Sequence, residues 1–255
     1  MIITNTPQKT LAKAVELKGI GLHSGKAIDL VLRPAAADCG FVFVRTDLDP
    51  QVEIPALAQY VSKTDRGTTL SVEGVDVQTT EHVLAALVGC GINNCRIELN
   101  GAEVPILDGS SKPFVEVIQT AGIQDQEAQQ EIFVVQENIH ITDEASGSEI
   151  LIVPAESTSL TVLIDFETKV LGTQNAVLHK MEDFPSEIAS SRTFSFLHEL
   201  ETLLEQNLIK GGDLNNAIVY VNKTLDKETM DRLKKAFGKK EIAVKKNGIL
   251  DNLTL

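Results

Sequence analysis

Residues 79–99 read TTEHVLAALVGCGINNCRIEL, and the spacing of their apolar side chains changes halfway along. The first part has apolar residues at helical spacing, namely Val83, Leu84, Leu87 and Val88. Thr79 or Thr80 can cap this helix, and Gly89 can end it. Residues 94–99 are rich in branched side chains and predict a strand. The stretch therefore contributes one helix and one strand to the α+β fold that we predict for the chain.

Further elements are predicted before and after this stretch. Strands are predicted at residues 15–17, 28–32 and 41–44, where branched and aromatic residues concentrate. The glycine-rich residues 19–25 (GIGLHSG) predict a turn between the first two strands. A second helix is predicted from Pro113 to Gly122, because proline suits a first helical turn and glycine ends a helix. We therefore predict a first α+β domain over residues 1–123.

Residues 124–131 (QDQEAQQE) are polar, contain no aromatic or β-branched residue, and predict a linker. Strands are predicted beyond it at residues 132–141, 149–153, 160–166 and 217–221. Helices are predicted after Pro185, over residues 197–206 and over residues 226–237. We predict a second α+β domain over residues 132–255, although no sequence repeat relates it to the first.

The composition is that of an ordinary globular protein, with 255 residues of which 43% are hydrophobic and 23% charged. No apolar run reaches the ~18 residues that a membrane span needs, so no span is predicted. A net charge of −13 and the absence of tryptophan disfavour nucleic-acid binding, which uses basic and stacking surfaces. Lysine pairs make residues 210–246 locally basic, which indicates either a solvated helix face or a patch for an anionic ligand.

The three cysteines, Cys39, Cys90 and Cys95, form no even disulfide framework, and the N-terminus lacks a secretion signal. We therefore expect a cytoplasmic protein. Cys90 and Cys95 are either small buried hydrophobic residues or, less in keeping with their apolar surroundings, metal ligands.

Glu81 and His82 fall in the first turn of the predicted helix. The partial positive charge of a helix N-terminus favours an ionised carboxylate and a neutral imidazole, and a metal binds the neutral form. Zinc hydrolases combine a histidine ligand with a glutamate that acts as general base on the bound water. The alternative is a solvated first turn with no chemical role.

Four other residues, at three places in the sequence, are suited to chemistry, and each place has a structural alternative. Asp108 precedes Gly109 in a turn signal and could simply accept backbone hydrogen bonds there. Thr193 could donate to an oxyanion or only pack in a strand. His179 and Asp183 could share a helix face as metal ligands, but the following Pro185 disfavours a helix. In a strand they would lie about 13 Å apart.

Seven short segments, spread over essentially the whole chain, match pieces of one known family and occur in the same order as in that family. They are residues 8–11 (QKTL), 19–25 (GIGLHSG), 45–47 (RTD), 80–87 (TEHVLAAL), 103–110 (EVPILDGS), 191–194 (SRTF) and 211–219 (GGDLNNAIV). Each is unspecific by itself. Together they make the chain resemble the zinc-dependent UDP-3-O-acyl-N-acetylglucosamine deacetylases of lipid A biosynthesis.

The resemblance implies two stacked domains, each a β-sheet packed against helices in a sandwich-like arrangement. It also implies hydrolysis of the N-acetyl group of UDP-3-O-acyl-N-acetylglucosamine, with release of acetate. In this chain His82 matches the first zinc ligand, Glu81 the general base, and Thr193 the residue that holds the developing oxyanion.

Substrate-binding positions are implied in the same way. Phe194 matches a residue that packs near the sugar, and His23 matches one that lines the site. Asp108 lies in the matching segment 103–110 and is a further predicted substrate-binding residue. A passage for the acyl chain is implied at about residues 196–216, where the alternative is an ordinary amphipathic helix.

The chain departs from the family pattern at its C-terminal end. The family's second and third zinc ligands are a histidine and an aspartate four residues apart, and its general acid is a later histidine. This sequence has no histidine after His198. We therefore expect a C-terminally truncated, inactive form with an incomplete second domain, or alternatively a non-catalytic relative that binds the UDP-sugar lipid. Residues 170–174 are similar to the branch that is fused to a hydroxyacyl-carrier-protein dehydratase.

Overall fold

The computed structural model describes residues 2–200, 210–223, 225–245 and 248–252. The strands are β1 (Ile2–Leu11), β2 (Val15–Ile20), β3 (Ala27–Pro34), β4 (Phe41–Arg45), β5 (Val52–Pro55), β6 (Val61–Lys63), β7 (Thr69–Val72), β8 (Val75–Val77), β9 (Cys95–Leu99), β10 (Ile123–Ile132), β11 (Ile139–Asp143), β12 (Ser148–Ile152), β13 (Leu160–Asp165), β14 (Thr173–Leu178), β15 (Phe194–Phe196), β16 (Ile218–Tyr220), β17 (Ile242–Val244) and β18 (Leu250–Asn252). Helices include α1 (Glu81–Gly89), α2 (Lys112–Ala121), α3 (Phe184–Glu187) and α4 (Lys227–Phe237). The predicted α+β class is confirmed.

The first half is built on a five-stranded sheet with the strand order β2-β3-β9-β4-β5. Strand β4 runs parallel to β9, and the other neighbours are antiparallel. Side chains alternate between the two faces of a strand, so Ile28, Leu30 and Leu32 of β3 all lie in the core. The strands predicted at residues 15–17, 28–32, 41–44 and 94–99 are confirmed.

Helices α1 and α2 share one hydrophobic core with this sheet. Leu87 of α1 and Phe114 of α2 are fully buried in it. Both predicted helices are confirmed, with Pro113 in the first turn of α2 and Gly122 at its end. Leu178 and Phe184, from the second half of the chain, belong to the same core.

The segment predicted as a linker, residues 124–131, instead forms most of strand β10, which pairs antiparallel with β1. Its glutamines bond to neighbouring backbone. Gln126 Nε2 donates to the carbonyl of Ala35 at 2.9 Å, and Gln130 Nε2 donates to that of Pro7 at 2.9 Å. Polar side chains with hydrogen-bond partners can stand in a strand without branched apolar residues, so the segment is not irregular, and its role as a boundary between domains stays a prediction.

The second half contains two separate antiparallel hairpins, β11–β12 and β13–β14. Two short pairs follow, in which β15 and β16 are parallel and β17 and β18 antiparallel. The strands predicted at residues 149–153, 160–166 and 217–221 are confirmed. The strand predicted over residues 132–141 is wrong, since β10 ends at Ile132 and β11 begins only at Ile139.

A second, smaller core surrounds α4. Its buried members are Leu197, Leu200, Leu214, Val219, Leu233, Phe237, Ile242 and Leu250. The helix predicted over residues 226–237 is confirmed, and the Asp226 carboxylate caps it by accepting from the Thr229 N–H at 2.8 Å. The helix predicted after Pro185 is only the single turn α3. The helix predicted over residues 197–206 falls largely outside the described residues.

The boundary between the predicted domains remains a prediction. Within the described part of the chain, no helix has both the length and the apolar character needed to cross a membrane.

Candidate active site

The N-terminus of α1 holds the first two predicted site residues. Glu81 opens the helix, and its Oε2 accepts a hydrogen bond from the Thr68 N–H at 2.9 Å. The Thr80 hydroxyl donates to the Thr68 carbonyl at 3.2 Å, so the loop before β7 is fastened to the helix start. A Cβ at Gly67 would lie 3.2 Å from Glu81 Oε1. This loop therefore fixes the position of the Glu81 carboxylate from one side.

The second residue of the helix, His82, is partly buried. Burial lowers the pKa of His82, while the nearby carboxylates of Glu81 and Asp108 act in the opposite direction. The lowered pKa favours the neutral imidazole, which is the form that binds a metal or accepts a proton. Its backbone carbonyl accepts from the Ser111 hydroxyl at 3.0 Å, which fastens the start of α2 to α1.

Asp108 lies in a tight turn shortly before α2, and this turn contacts the second half of the chain. Its Oδ1 accepts from the Ser110 N–H at 2.9 Å and from the Ser110 hydroxyl at 2.7 Å. The next residue, Gly109, has a φ of +84°, and a Cβ there would overlap the carbonyl of Asn216. The turn thus depends on glycine for both its conformation and its packing.

The same turn is bonded to the segment that carries Thr193. Arg192 Nε donates to the Asp108 carbonyl at 2.7 Å, and the Thr193 N–H donates to the Gly109 carbonyl at 2.7 Å. The Thr193 carbonyl in turn accepts from the Ile218 N–H at 3.0 Å. Three segments distant in sequence therefore meet at Thr193.

A cavity of about 70 Å³ brings together the other predicted residues, His23, Thr193 and Phe194. Its remaining lining is mainly apolar and comprises Leu22, Arg66, Ser195, Leu200, Gly212, Asp213, Ala217, Val219 and Phe237. Phe194 packs edge-on against Phe166, with ring centroids 5.3 Å apart. Glu81, His82 and Asp108 are not among the lining residues. The turn that contains Asp108 connects to the cavity through the hydrogen bond between the Thr193 N–H and the Gly109 carbonyl.

The acyl passage predicted at residues 196–216 is only partly described. Leu200 lines the cavity. Leu203, Leu204 and Leu208 lie outside the described residues.

Two residues at the site escaped the sequence analysis. Arg66 lines the cavity, and its guanidinium lies 3.5 Å from the Glu199 carboxylate. Glu103 is almost completely buried and accepts from the backbone of His23 and Ser24. Glu103 begins one of the seven quoted segments, but its letter alone does not reveal that the side chain is turned inward.

The described residues do not form a complete zinc site. A catalytic zinc usually has three protein ligands. In the described ranges, no group of three or more His, Cys, Asp or Glu side chains is placed to hold a metal. His179 and Asp183 do not supply the missing ligands, because Phe184 next to Asp183 packs against Gly89, at the opposite end of α1 from His82.

Comparisons with known proteins match one family over most of the chain. The family described as LpxC, UDP-3-O-acyl N-acetylglycosamine deacetylase, matches residues 8–238. A bifunctional enzyme LpxC/FabZ of Chlorobaculum tepidum is 41% identical over 251 residues, covering 97% of this chain and 54% of that protein. A UDP-3-O-acyl-N-acetylglucosamine deacetylase of Myxococcus xanthus is 47% identical over 213 residues, covering 83% of this chain and 67% of that protein. The chain thus spans about half the length of the bifunctional relatives that it matches.

Proposed function

Because the chain belongs to the UDP-3-O-acyl-N-acetylglucosamine deacetylase family, we propose that it takes part in hydrolysing the N-acetyl group of UDP-3-O-acyl-N-acetylglucosamine in lipid A biosynthesis. The observation that carries this proposal is the placement of Glu81 and His82 in the first turn of α1, within the matched region. In the reaction a water oxygen bonds to the acetyl carbon and the C–N bond breaks. Acetate leaves, and the sugar nitrogen takes a proton to become the amine.

Glu81 is the general base in this proposal. Its carboxylate is held in place by the Thr68 N–H, which leaves Oε1 available to take a proton from the attacking water. The Thr193 hydroxyl donates to the carbonyl oxygen as negative charge develops on it. The hydrogen bond between the Thr193 N–H and the Gly109 carbonyl supports this role, because it fixes the backbone from which the hydroxyl projects.

The substrate binds next to these groups. The mainly apolar cavity suits part of the acyl chain. Phe194 and His23 also line this cavity, and we place the sugar next to them. Asp108 shapes the turn that joins the two sets of site residues and is proposed to contact substrate. The bifunctional relatives support a possible fused dehydratase as a partner. The free cysteines are in keeping with a reducing cytoplasm.

Zinc would supply Lewis-acid activation of water in this family, and His82 is the proposed ligand. The described residues provide this single ligand rather than the usual three, so they do not fit the ion by themselves. We therefore propose that these 255 residues alone neither retain zinc nor release acetate. The same donor count favours a second candidate function, in which the chain binds the UDP-sugar lipid without hydrolysing it.

Binding and hydrolysis are tested separately on the 255-residue chain. In calorimetry we expect UDP-3-O-acyl-N-acetylglucosamine to bind at least about tenfold more tightly than UDP-N-acetylglucosamine, because each buried CH₂ contributes about 0.8 kcal/mol. Leu200→Ala, which shortens a side chain that lines the cavity, should reduce this preference, and Phe133→Ala, at an exposed position, should not. Equal affinity for the two ligands, or no binding, would contradict the proposed substrate.

The metal proposal is tested by elemental analysis after dialysis, with acetate release measured in parallel. We expect well under one zinc per chain and no acetate above the background of the Glu81→Gln variant. One retained zinc per chain, lost in His82→Ala and kept in His140→Ala, would show that the ligands lie within this sequence. Acetate release that disappears in Glu81→Gln would establish hydrolysis by the chain alone.

A further inference from the structure

A buried carboxylate links two segments of the proposed site. Glu103 follows β9 and is 1% exposed. Its Oε1 accepts from the His23 N–H at 2.9 Å, and its Oε2 accepts from the Ser24 N–H at 3.0 Å. The Thr79 hydroxyl lies 3.4 Å from Oε1 as a third donor. A buried carboxylate needs such partners, since leaving it unpaired is costly.

The donors belong to the two segments that carry the proposed chemistry. His23 and Ser24 lie in the glycine-rich turn, and the His23 side chain lines the cavity. Thr79 precedes the first residue of α1 by two positions and has a φ of +58°. Non-glycine residues seldom adopt this conformation, so the surrounding contacts have to hold it.

The packing around Glu103 leaves the glycine-rich turn little freedom. A Cβ at Gly21 would overlap the Glu103 carboxylate. On its other side the turn is held by Gly211, whose N–H donates to the Leu22 carbonyl at 3.0 Å. A Cβ at Gly211 would overlap the Gly21 carbonyl. The glycine-rich turn is therefore held between Glu103 on one side and the backbone at Gly211 on the other.

We infer that Glu103 is a positioning residue, which sets His23 against the start of α1 and so shapes the substrate site. The inference rests on the proposed function. Glu103 itself is buried behind both segments and acts through them. Hydrogen bonds from backbone N–H groups to a carboxylate are about twice as strong as neutral ones, so the charge matters as well as the shape.

The test uses Glu103→Gln, with Glu98→Gln as a matched control on strand β9, where Glu98 pairs with Arg33 at 2.7 Å. A glutamine keeps the size of the side chain but replaces one acceptor oxygen with an NH₂ group that faces an N–H donor. We expect Glu103→Gln to bind UDP-3-O-acyl-N-acetylglucosamine about tenfold more weakly in calorimetry, and Glu98→Gln to bind like the unaltered chain. A merely structural role would lower Tm but leave the affinity of the folded protein unchanged, and that result would overturn the inference.

A double-mutant cycle shows whether the effect passes through His23. If it does, Glu103→Gln should cost little further affinity in a His23→Ala background, because the group that it positions is gone. Full additivity of the two losses would overturn the inference. Should Glu103→Gln fail to fold, Gly21→Ala displaces the intact carboxylate and is expected to give the same loss. Affinity equal to that of the unaltered chain would then overturn it.

Amide NMR separates failure of this inference from failure of the proposed function. If the unaltered chain binds no substrate, the proposed function fails. The spectra then show independently whether Glu103 positions His23 and the start of α1. The amide resonances of His23, Ser24 and the first turn of α1 should then shift together in Glu103→Gln. Shifts confined to residues next to Glu103 in sequence would overturn the inference.

Discussion

The five-stranded sheet and the β13–β14 hairpin share the same alternating pattern but differ in what covers their apolar face. In β3, Leu30 and Leu32 are fully buried. In β13, Leu160 and Val162 occupy equivalent alternating positions, yet each is 50% exposed. Helices α1 and α2 account for the difference, since they cover the sheet and join its core.

The β11–β12 hairpin repeats the contrast. Its pairing places Ile139 opposite Ile152 and Ile141 opposite Ile150, so all four lie on one face. Ile150 is nevertheless 58% exposed. A two-stranded hairpin is only marginally stable in water without a covered face. The comparison shows that alternation specifies a strand and its apolar face, whereas burial depends on elements elsewhere in the chain.

The largest expected effect comes from matched isoleucine substitutions in the two regions. Ile97 in β9 is fully buried, and Ile97→Ala should lower the free energy of unfolding by about 2–5 kcal/mol through lost burial and a cavity. Ile150→Ala in β12 should cost under about 1 kcal/mol, because the side chain is already mostly in water. Urea denaturation followed by circular dichroism measures both. Equal losses would mean that the hairpin face is covered in solution.

Hydrogen exchange compares the same regions without substitution. Backbone amides of β13 and β14 should exchange at least about 100-fold faster than those of β3 and β9, because weakly packed segments open without global unfolding. Mass spectrometry of peptides from each region gives the two rates. The β1–β10 pair, rich in glutamine hydrogen bonds, serves as an internal reference of intermediate burial. Equal amide exchange rates in the β13–β14 hairpin and in the five-stranded sheet would contradict the difference in packing between the two regions.

The elements that could be predicted from sequence are those with local signals. The helix starting at Glu81 has apolar residues at helical spacing, of which Val83 and Leu87 are buried, and a glycine at its end. Strand β3 is rich in branched residues and buries every second side chain from Ile28 to Leu32. Strand β10 was missed because its partners are remote, β1 pairing with it across more than a hundred residues. A polar sequence whose hydrogen bonds are all long-range carries no local sign of being a strand.

The site residues that could be predicted are those whose side-chain type alone indicates a chemical role. Glu81 and His82 were identified by the requirements of a helix N-terminus and a metal hydrolase, and the structure places both there. Their roles remain proposals. Arg66 and Glu103 could not be found in this way, because their importance comes from a cavity and from burial that only the assembled chain creates.

The smallest expected effect is a pH dependence caused by a single imidazole in the well-packed half. Burial lowers the pKa of His82 below its usual 6.5, with Glu81 and Asp108 opposing the shift. Near pH 6.5 the His82 imidazole therefore takes up a proton more readily in the unfolded chain than in the folded chain. Protonation of this residue consequently favours unfolding. The free energy of unfolding should be fully retained above about pH 7 and should decrease as the pH falls through 6.5.

Urea midpoints at pH 7.5 and 5.5, in buffer with a metal chelator, measure this dependence. The difference between the two pH values should shrink in His82→Gln. It should persist in His140→Gln, which replaces a histidine on the exposed β11–β12 hairpin and leaves His82 unchanged. A pH dependence that disappears in His140→Gln instead would place the linked proton on the exposed hairpin and would contradict the proposed effect of burying His82.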